Sequence, residues 1–410
     1  MSETQKVAGD PRILMVPAKP WPCDHAMLEN VYARLLPERG YDIEWVMRAA
    51  LPGLPRPEVW HGSVVHLTRD RSGGSFATAL RRLSLLREVA RVARRRPFDI
   101  IQVRNSVAVG LLALALRRST GARIVFQFSF PVLEWALRSG GPCRAPWVFR
   151  SGLTQIAIGL RRRVLQRADL VLAISERMRT DLVRDGIRPE RVVAFPLGAP
   201  DYVPSPRGAV DDLRRRLGIG DAPVVLYFGS IAPERRLGFL IRVASIVQSS
   251  LPEVRWILLG AASGGEDRRL RALAEEFGVA DRVLIAGPVP RDDVVTYLEL
   301  SELTVSPIPP TEFYLMSSPM KAVESLAAGR AVVATAIPDQ AELIERSGGG
   351  VVAAYEPNAF ADAVVALLRD DERRRAAGAS GRAHVEAHRS YARLAADMDV
   401  VYRALLQVLV

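Results

Sequence analysis

The chain is 410 residues long, 49% hydrophobic and 25% charged, with a formal net charge of +11. Those proportions describe an ordinary globular protein of two or three domains, each large enough to bury its own core, and exclude a disordered or fibrous chain. Two cysteines, Cys23 and Cys143, are too few for a disulfide framework and have no metal-ligand spacing around them, so a reducing cytoplasm and inert thiols are expected. The polar stretch 1–10 and the short apolar run 13–16 do not read as a signal peptide. The longest apolar run, 107–116, is about half of what a membrane span needs.

In chain order, apolar runs at 12–16, 43–46, 100–103, 124–128 and 170–174 predict buried strands with amphipathic helices between them. A Pro-rich hinge, Pro200-Asp201-Tyr202-Val203-Pro204-Ser205-Pro206, follows, and a second series of apolar runs succeeds it at 224–228, 256–260, 283–286, 303–306 and 331–335. Strand and helix alternate in both halves, which argues for parallel sheets covered by helices. The predicted architecture is α/β: two Rossmann-like, doubly wound domains, 1–205 and 206–390, facing one another across a cleft. Leu394, Met398, Val401 and Leu405 are spaced as one helical face, so 391–410 is expected to be a closing helix that crosses back onto the first domain.

Charge divides the halves. Residues 1–205 hold 32 basic and 18 acidic side chains, against 24 and 27 in 206–410. The stretch 80–96 places Leu80, Leu83, Leu86, Ala90 and Ala93 on one face and carries seven arginines against Glu88; 149–167 sets Leu153, Ile156 and Leu160 beside Arg161-Arg162-Arg163. Core-facing helices with solvated polar faces account for such patterns. A one-signed face also suits an anionic membrane surface, where each exposed cation adds up to about 1 kcal/mol. Nucleic acid is the other partner that a basic chain suggests, but the sequence shows no zinc spacing, no helix-turn-helix pattern and few aromatics beside the arginines, so none is expected.

The most informative stretch is Ser317-Ser318-Pro319-Met320-Lys321-Ala322-Val323-Glu324, a loop entering a helix. The lysines are Lys6, Lys19 and Lys321, so 53 of the 56 basic residues are Arg and this helix carries the only Lys beyond position 19. Lys is a compact point charge, and above a helix N-terminus it suits a polyphosphate. Glu324, one turn on, suits a sugar diol. Read alone, Lys321 and Glu324 are also an i, i+3 pair worth about 0.2–0.5 kcal/mol on an exposed helix.

From Ala168-Asp169-Leu170-Val171-Leu172-Ala173-Ile174-Ser175-Glu176 onward an ordered set of motifs appears: Pro196-Leu197-Gly198, Tyr227-Phe228-Gly229-Ser230-Ile231-Ala232-Pro233-Glu234-Arg235-Arg236, Gly287, Ser306-Pro307 and the Lys321 helix. In this order the chain resembles the family-4 (group 1) glycosyltransferases, retaining enzymes of the two-Rossmann GT-B fold. The resemblance implies transfer of a sugar from a nucleoside diphosphate sugar, a UDP-sugar being the commonest donor, to a glycan, lipid-linked or small-molecule acceptor. It implies no cofactor and no metal, and an enzyme of cell-surface glycan or glycolipid assembly; the basic faces of the first half add the expectation of a cytoplasmic protein peripheral on the inner membrane face. It assigns Arg235 and Lys321 to the diphosphate, with Gly229 and Ser230 supplying amides, and Glu324 to the ribose. Ser317, Ser318 and Met320 are expected to line the donor.

Two departures stand out. The family's first carboxylate is expected at 316, where this chain has Met316, with Glu312 one helical turn earlier as a substitute. A histidine usual at a first-domain strand end falls on Ser129. His25 and Asn105, with Arg104 beside it, complete the expected acceptor side. A nucleotide-sugar epimerase or hydrolase on the same fold, and a scaffold that has lost catalysis, stay open at this point.

Overall fold

The computed structural model describes residues 10–49, 58–68, 74–134 and 147–407. Lys6 and Cys143 lie outside them. Two compact units divide the chain, one comprising 1–196 and 394–410 and the other 197–393. The division falls ahead of the Pro-rich segment 200–206, and the last helix, Tyr391–Gln407, belongs to the first unit from Leu394 onward.

The first unit holds a nine-stranded sheet. Its strands are β1 (Arg12–Val16), β2 (Pro20–Trp21), β3 (Asp42–Ala49), β4 (Glu58–Trp60), β5 (Ser63–Thr68), β6 (Ile100–Arg104), β7 (Arg123–Phe128), β8 (Leu170–Ala173) and β9 (Val192–Ala194). Their order is β4-β5-β3-β1-β6-β7-β8-β9, with β2 beside β3, and all pairs are parallel apart from β4 with β5. The second unit holds six parallel strands, β10 (Val224–Phe228), β11 (Arg255–Leu259), β12 (Val283–Gly287), β13 (Leu303–Ser306), β14 (Val332–Thr335) and β15 (Gly350–Ala353), ordered β12-β11-β10-β13-β14-β15. In each sheet the chain winds outward from one strand and then returns to wind the other way. The reversals lie between β1 and β6 and between β10 and β13, and loops leaving the carboxyl ends of those strands border the crevice where such sheets bind ligands.

The strands are apolar because both sheet faces are covered. In β10, Val225 and Tyr227 join a core with Trp256, Phe239 and Phe360, while Val224, Leu226 and Phe228 join one with Leu213, Ile257 and Tyr297. Alternate residues therefore serve opposite faces, as a pleated strand requires.

The arginine-rich helices differ from their expected faces. In the helix Gly74–Arg95 the buried stripe is Val89, Val92 and Ala93, and Leu83 is 41% exposed. In the helix Trp147–Arg167, Val164 and Leu165 are buried, whereas Leu153 and Ile156 are 68% and 61% exposed. Spacing alone assigned those leucines and the isoleucine to a face; the neighbouring elements cover a different one. Among the described residues no helix is long and apolar enough to cross a membrane.

The final helix is fastened from its interior side. Tyr402 is fully buried, its ring edge-on to Tyr41 at 5.8 Å, and its hydroxyl donates to Gln102 on β6. Tyr41 in turn donates to Asp399 at 2.7 Å. Tyr402→Ala should destabilise the first unit by about 3–5 kcal/mol. Tyr402→Phe keeps the ring and leaves the buried Gln102 carbonyl unpaired, at a cost of about 1–3 kcal/mol. Urea denaturation followed by a probe in the first unit checks both, since two units need not unfold as one.

Candidate active site

Strand β10 ends in a backbone that only glycine accommodates. Gly229 has φ +129, its N–H donates to Leu259 O at 2.8 Å, and a Cβ there would lie 2.2 Å from Lys321 Cε and 2.7 Å from Lys321 Nζ. The next strand ends alike: a Cβ on Gly260 would stand 1.9 Å from Gly229 O. Two bare strand ends let the Lys321 side chain lie across the turn, its ammonium 5.4 Å from the centroid of the Tyr227 ring.

Arg235 closes the short helical turn Pro233–Arg235. Its Nε donates to Ser230 Oγ at 3.2 Å, and its guanidinium stacks 5.0 Å above the Tyr314 ring, on the loop after β13. Tyr227 donates its hydroxyl to Ser230 O at 2.9 Å, so the Ser230 hydroxyl and carbonyl are both fixed. Arg236 adopts φ +51, in the left-handed region that favours glycine.

The helix Met320–Ala327 begins behind Pro319 with no side-chain cap, leaving its first amides available. Lys321 is its second residue and Glu324 lies one turn on. Burial, helped by Arg235 and opposed by Glu324, lowers the Lys321 ammonium to about 7. Burial raises the Glu324 carboxyl, against the pull of Arg291 and Lys321. Arg291, on the loop after β12, reaches Glu324 with Nη2 at 3.5 Å from Oε1, both side chains keeping some exposure. The structure brings Gly229, Ser230, Arg235 and Lys321 together at the carboxyl end of β10 with Glu324 one turn along the helix, while the Gly229 amide expected to face a donor is bonded to Leu259 O.

Ser317 and Ser318 play other parts. Ser317 Oγ donates to Tyr314 O at 2.7 Å. The buried Ser318 hydroxyl donates to Asp339 Oδ2 at 2.7 Å and accepts the Leu197 N–H at 2.9 Å, while Asp339 Oδ1 takes Arg389 Nη2 at 2.8 Å. Ser318 is thus an anchor for the loop, and the hydroxyl contact to a donor expected of it is already committed. Met316 and Met320 are half-buried, and Glu312 is exposed at the start of the turn Glu312–Leu315.

In the first unit, the three acceptor-side candidates meet around Arg104, which is 8% exposed. Arg104 Nη2 donates to His25 Nε2 at 2.9 Å and Arg104 Nε to Ser129 Oγ at 3.1 Å; Ser129 N donates to Asn105 Oδ1 at 2.8 Å. Burial first, then Arg104 and Lys19, lower the His25 imidazolium to about 3. The ring is therefore neutral with Nε2 occupied as an acceptor, which leaves it no role as a general base near neutrality. Burial raises the nearby Cys23 thiol, in keeping with an inert residue.

Residues 222–370 match the family described as glycosyl transferases group 1, and residues 32–201 match glycosyltransferase family 4. The two matches together take in well over half of the chain. The chain belongs to the family of group 1 glycosyltransferases. Among curated relatives, a D-inositol 3-phosphate glycosyltransferase of Acidothermus cellulolyticus is 32% identical over 50% of this chain and 48% of its own. A namesake from Xylanimonas cellulosilytica is 33% identical over 54% of each. These matches span about half the length of the relatives. A further one from Catenulispora acidiphila, at 27% identity, extends over 84% of this chain and 83% of its own. Sucrose-phosphate synthase from Thermosynechococcus elongatus shares the fold with a TM-score of 0.74 at 18% identity, covering 97% of this chain and all of that one. Anabaena HepE, solved with UDP and glucose, does so with a TM-score of 0.72 at 18% identity, over 96% of this chain and all of its own. The group 1 glycosyltransferase here thus has the GT-B fold.

Sequence reasoning passed over Tyr227, Tyr314 and Arg291 as parts of this edge. Tyr227 stood inside a quoted motif without a role of its own, Tyr314 was not singled out, and Arg291 follows the quoted Gly287 by only four positions, which is the signal that was there to find.

Gly229→Ala must push Lys321 off the turn while adopting a φ that Ala disfavours, so loss of whatever Lys321 binds should exceed the loss of fold. For Lys321 itself the folded value of about 7 lies below the ordinary lysine value of 10.5. The unfolded chain then binds more protons between those pH values, and stability rises with pH across that window. Lys321→Met should be more stable than the parent below pH 7, with the difference shrinking toward pH 10; parallel thermal melts from pH 6 to 10 check this.

Proposed function

We propose that this protein transfers a sugar from a nucleoside diphosphate sugar to an acceptor hydroxyl, with retention of anomeric configuration. The observation that carries the reading is Lys321 lying across the bare end of β10 with Arg235 held beside it over Tyr314. Two cations, the amide of Ser230 and a helix N-terminus converge where a diphosphate leaving group gathers negative charge as the glycosidic bond breaks, the Gly229 N–H being already taken by Leu259 O. Groups that meet this charge best in the transition state accelerate the reaction. Lys321 is poised so that an arriving diphosphate favours its protonated form. Glu324 then takes the ribose hydroxyls, Arg291 holding it ready. Among solved relatives in fold, Anabaena HepE has been seen with UDP-glucose, which supports a uridine nucleotide as the donor to try first.

Retention follows the front-face course, in which the leaving phosphate takes the acceptor's proton. Such a course asks little of a protein base, consistent with a His25 imidazole engaged by Arg104. We assign the acceptor to the first unit, around Arg104, Asn105 and Ser129, and place the activity in cell-surface glycan or glycolipid assembly, with the arginine-rich helices facing an anionic membrane.

UDP at about a hundred times its dissociation constant should stabilise the second unit by about 2.7 kcal/mol, a rise of about 5–10 °C in its midpoint. Lys321→Ala or Arg235→Ala should weaken UDP by about 10–100-fold, the worth of a hydrogen bond to a charged group. A thermal-shift panel of nucleoside diphosphates and their sugars checks this, and proton NMR of the anomeric coupling in the product checks retention. A panel in which no nucleotide moves the midpoint would overturn the reading.

A further inference from the structure

We propose that the first unit binds the alkyl chain of an acidic amphiphile, and that this chain belongs to the acceptor. The inference rests on the reading of the first unit as the acceptor side and names the acceptor's chemical class. A cavity of about 390 Å³ lies there, within the size range of about 300–1,000 Å³ typical of small-molecule sites. Its walls come from four elements: Leu85 and Leu86, Val107 and Leu111, Phe128 with Val132, and Ala157 with Leu160. Asn105 and Ser106 also line it, so it is continuous with the polar cluster around Arg104.

Three further observations fix the occupant. Val132 is 46% exposed, and Leu153 and Ile156, at helical spacing from Ala157 and Leu160, are 68% and 61% exposed. An apolar surface of this kind beside an apolar cavity calls for an apolar partner. The charged side chains in the lining are Arg82 and Arg161, and no acidic residue joins them. Arg161 is neutralised by Glu134, at 2.8 Å from Nη1 to Oε2, and lies over Phe128. Arg82 is exposed and, among the described residues, has no carboxylate partner. An apolar chain therefore enters beside one free cation, the complement of an alkyl tail with an anionic head.

The test uses the full-length protein and monomeric dodecyl phosphate, with butyl phosphate and neutral dodecanol as controls. Each methylene withdrawn from water tightens binding about fourfold, so dodecyl phosphate should bind at least about 100-fold more tightly than butyl phosphate. Ala157→Trp, which fills the cavity, should weaken dodecyl phosphate by at least about tenfold. Arg82→Glu should weaken dodecyl phosphate about tenfold and leave dodecanol unchanged. The urea transition followed by a probe in the first unit should be retained in both variants, which shows that this unit is folded, and an unaltered UDP-induced thermal shift, a property of the second unit, separates this proposal from the donor reading. Equal binding of butyl and dodecyl phosphate, or no effect of either variant, overturns the proposal. Affinity for phosphatidylglycerol vesicles without affinity for monomeric dodecyl phosphate overturns it too, in favour of a membrane surface.

Discussion

The space above Gly229 can hold either a side chain on that residue or the Lys321 side chain, and the second unit is built to give it to Lys321. Strand β10 is buried on both faces, so it cannot shift to make room. Gly260 yields in turn to the Gly229 carbonyl, which fixes the turn from the other side. The result is a cation held low against a strand end, over an aromatic face, with its charge made costly by burial. A charge in that position gains most when an anion arrives, because the anion replaces solvation already lost.

Holding Lys321 there depends on where its helix starts. That start is fixed by a buried network in which Ser318 and Arg389 share Asp339, and Leu197 bonds to both Ser318 and Arg389. Buried carboxylates survive when every oxygen is matched to a donor, and Asp339 meets that condition. The first unit repeats the plan at its own reversal point. There a buried Arg104 organises His25, Ser129 and, through it, Asn105, so both sheets place their polar chemistry at the carboxyl ends of the strands flanking the reversal.

Much of this was legible in the sequence, for identifiable reasons. Ten long apolar runs announced ten strands because strands covered on both faces cannot hide their composition. Of the strands passed over, the six-residue β5 is interrupted by His66 and bounded by Ser63 and Thr68, and β2, β4, β9 and β15 are two to four residues long. Fragments of that length carry no period to read. Lys321, Glu324, Gly229 and Arg235 were singled out because a scarce residue type and an ordered motif set marked them. Ser318 was misread because a loop hydroxyl looks the same in sequence whether it faces a ligand or a buried aspartate. Leu153 and Ile156 were given a core face because helical spacing defines a stripe without saying what covers it. Arg291 and Tyr314 act across the edge from loops after other strands, a relation that only the sheet order supplies.

The account's central claim is that the end of β10 and the start of the helix Met320–Ala327 together hold a diphosphate. The most direct measurement is a crystal structure of the complex with UDP. The expected complex has the β-phosphate within hydrogen-bond reach of Lys321 Nζ and the Ser230 amide, with the ribose hydroxyls on Glu324. A nucleotide bound at any other edge of the protein, with Lys321 still resting on Tyr227 and free of phosphate, would contradict it.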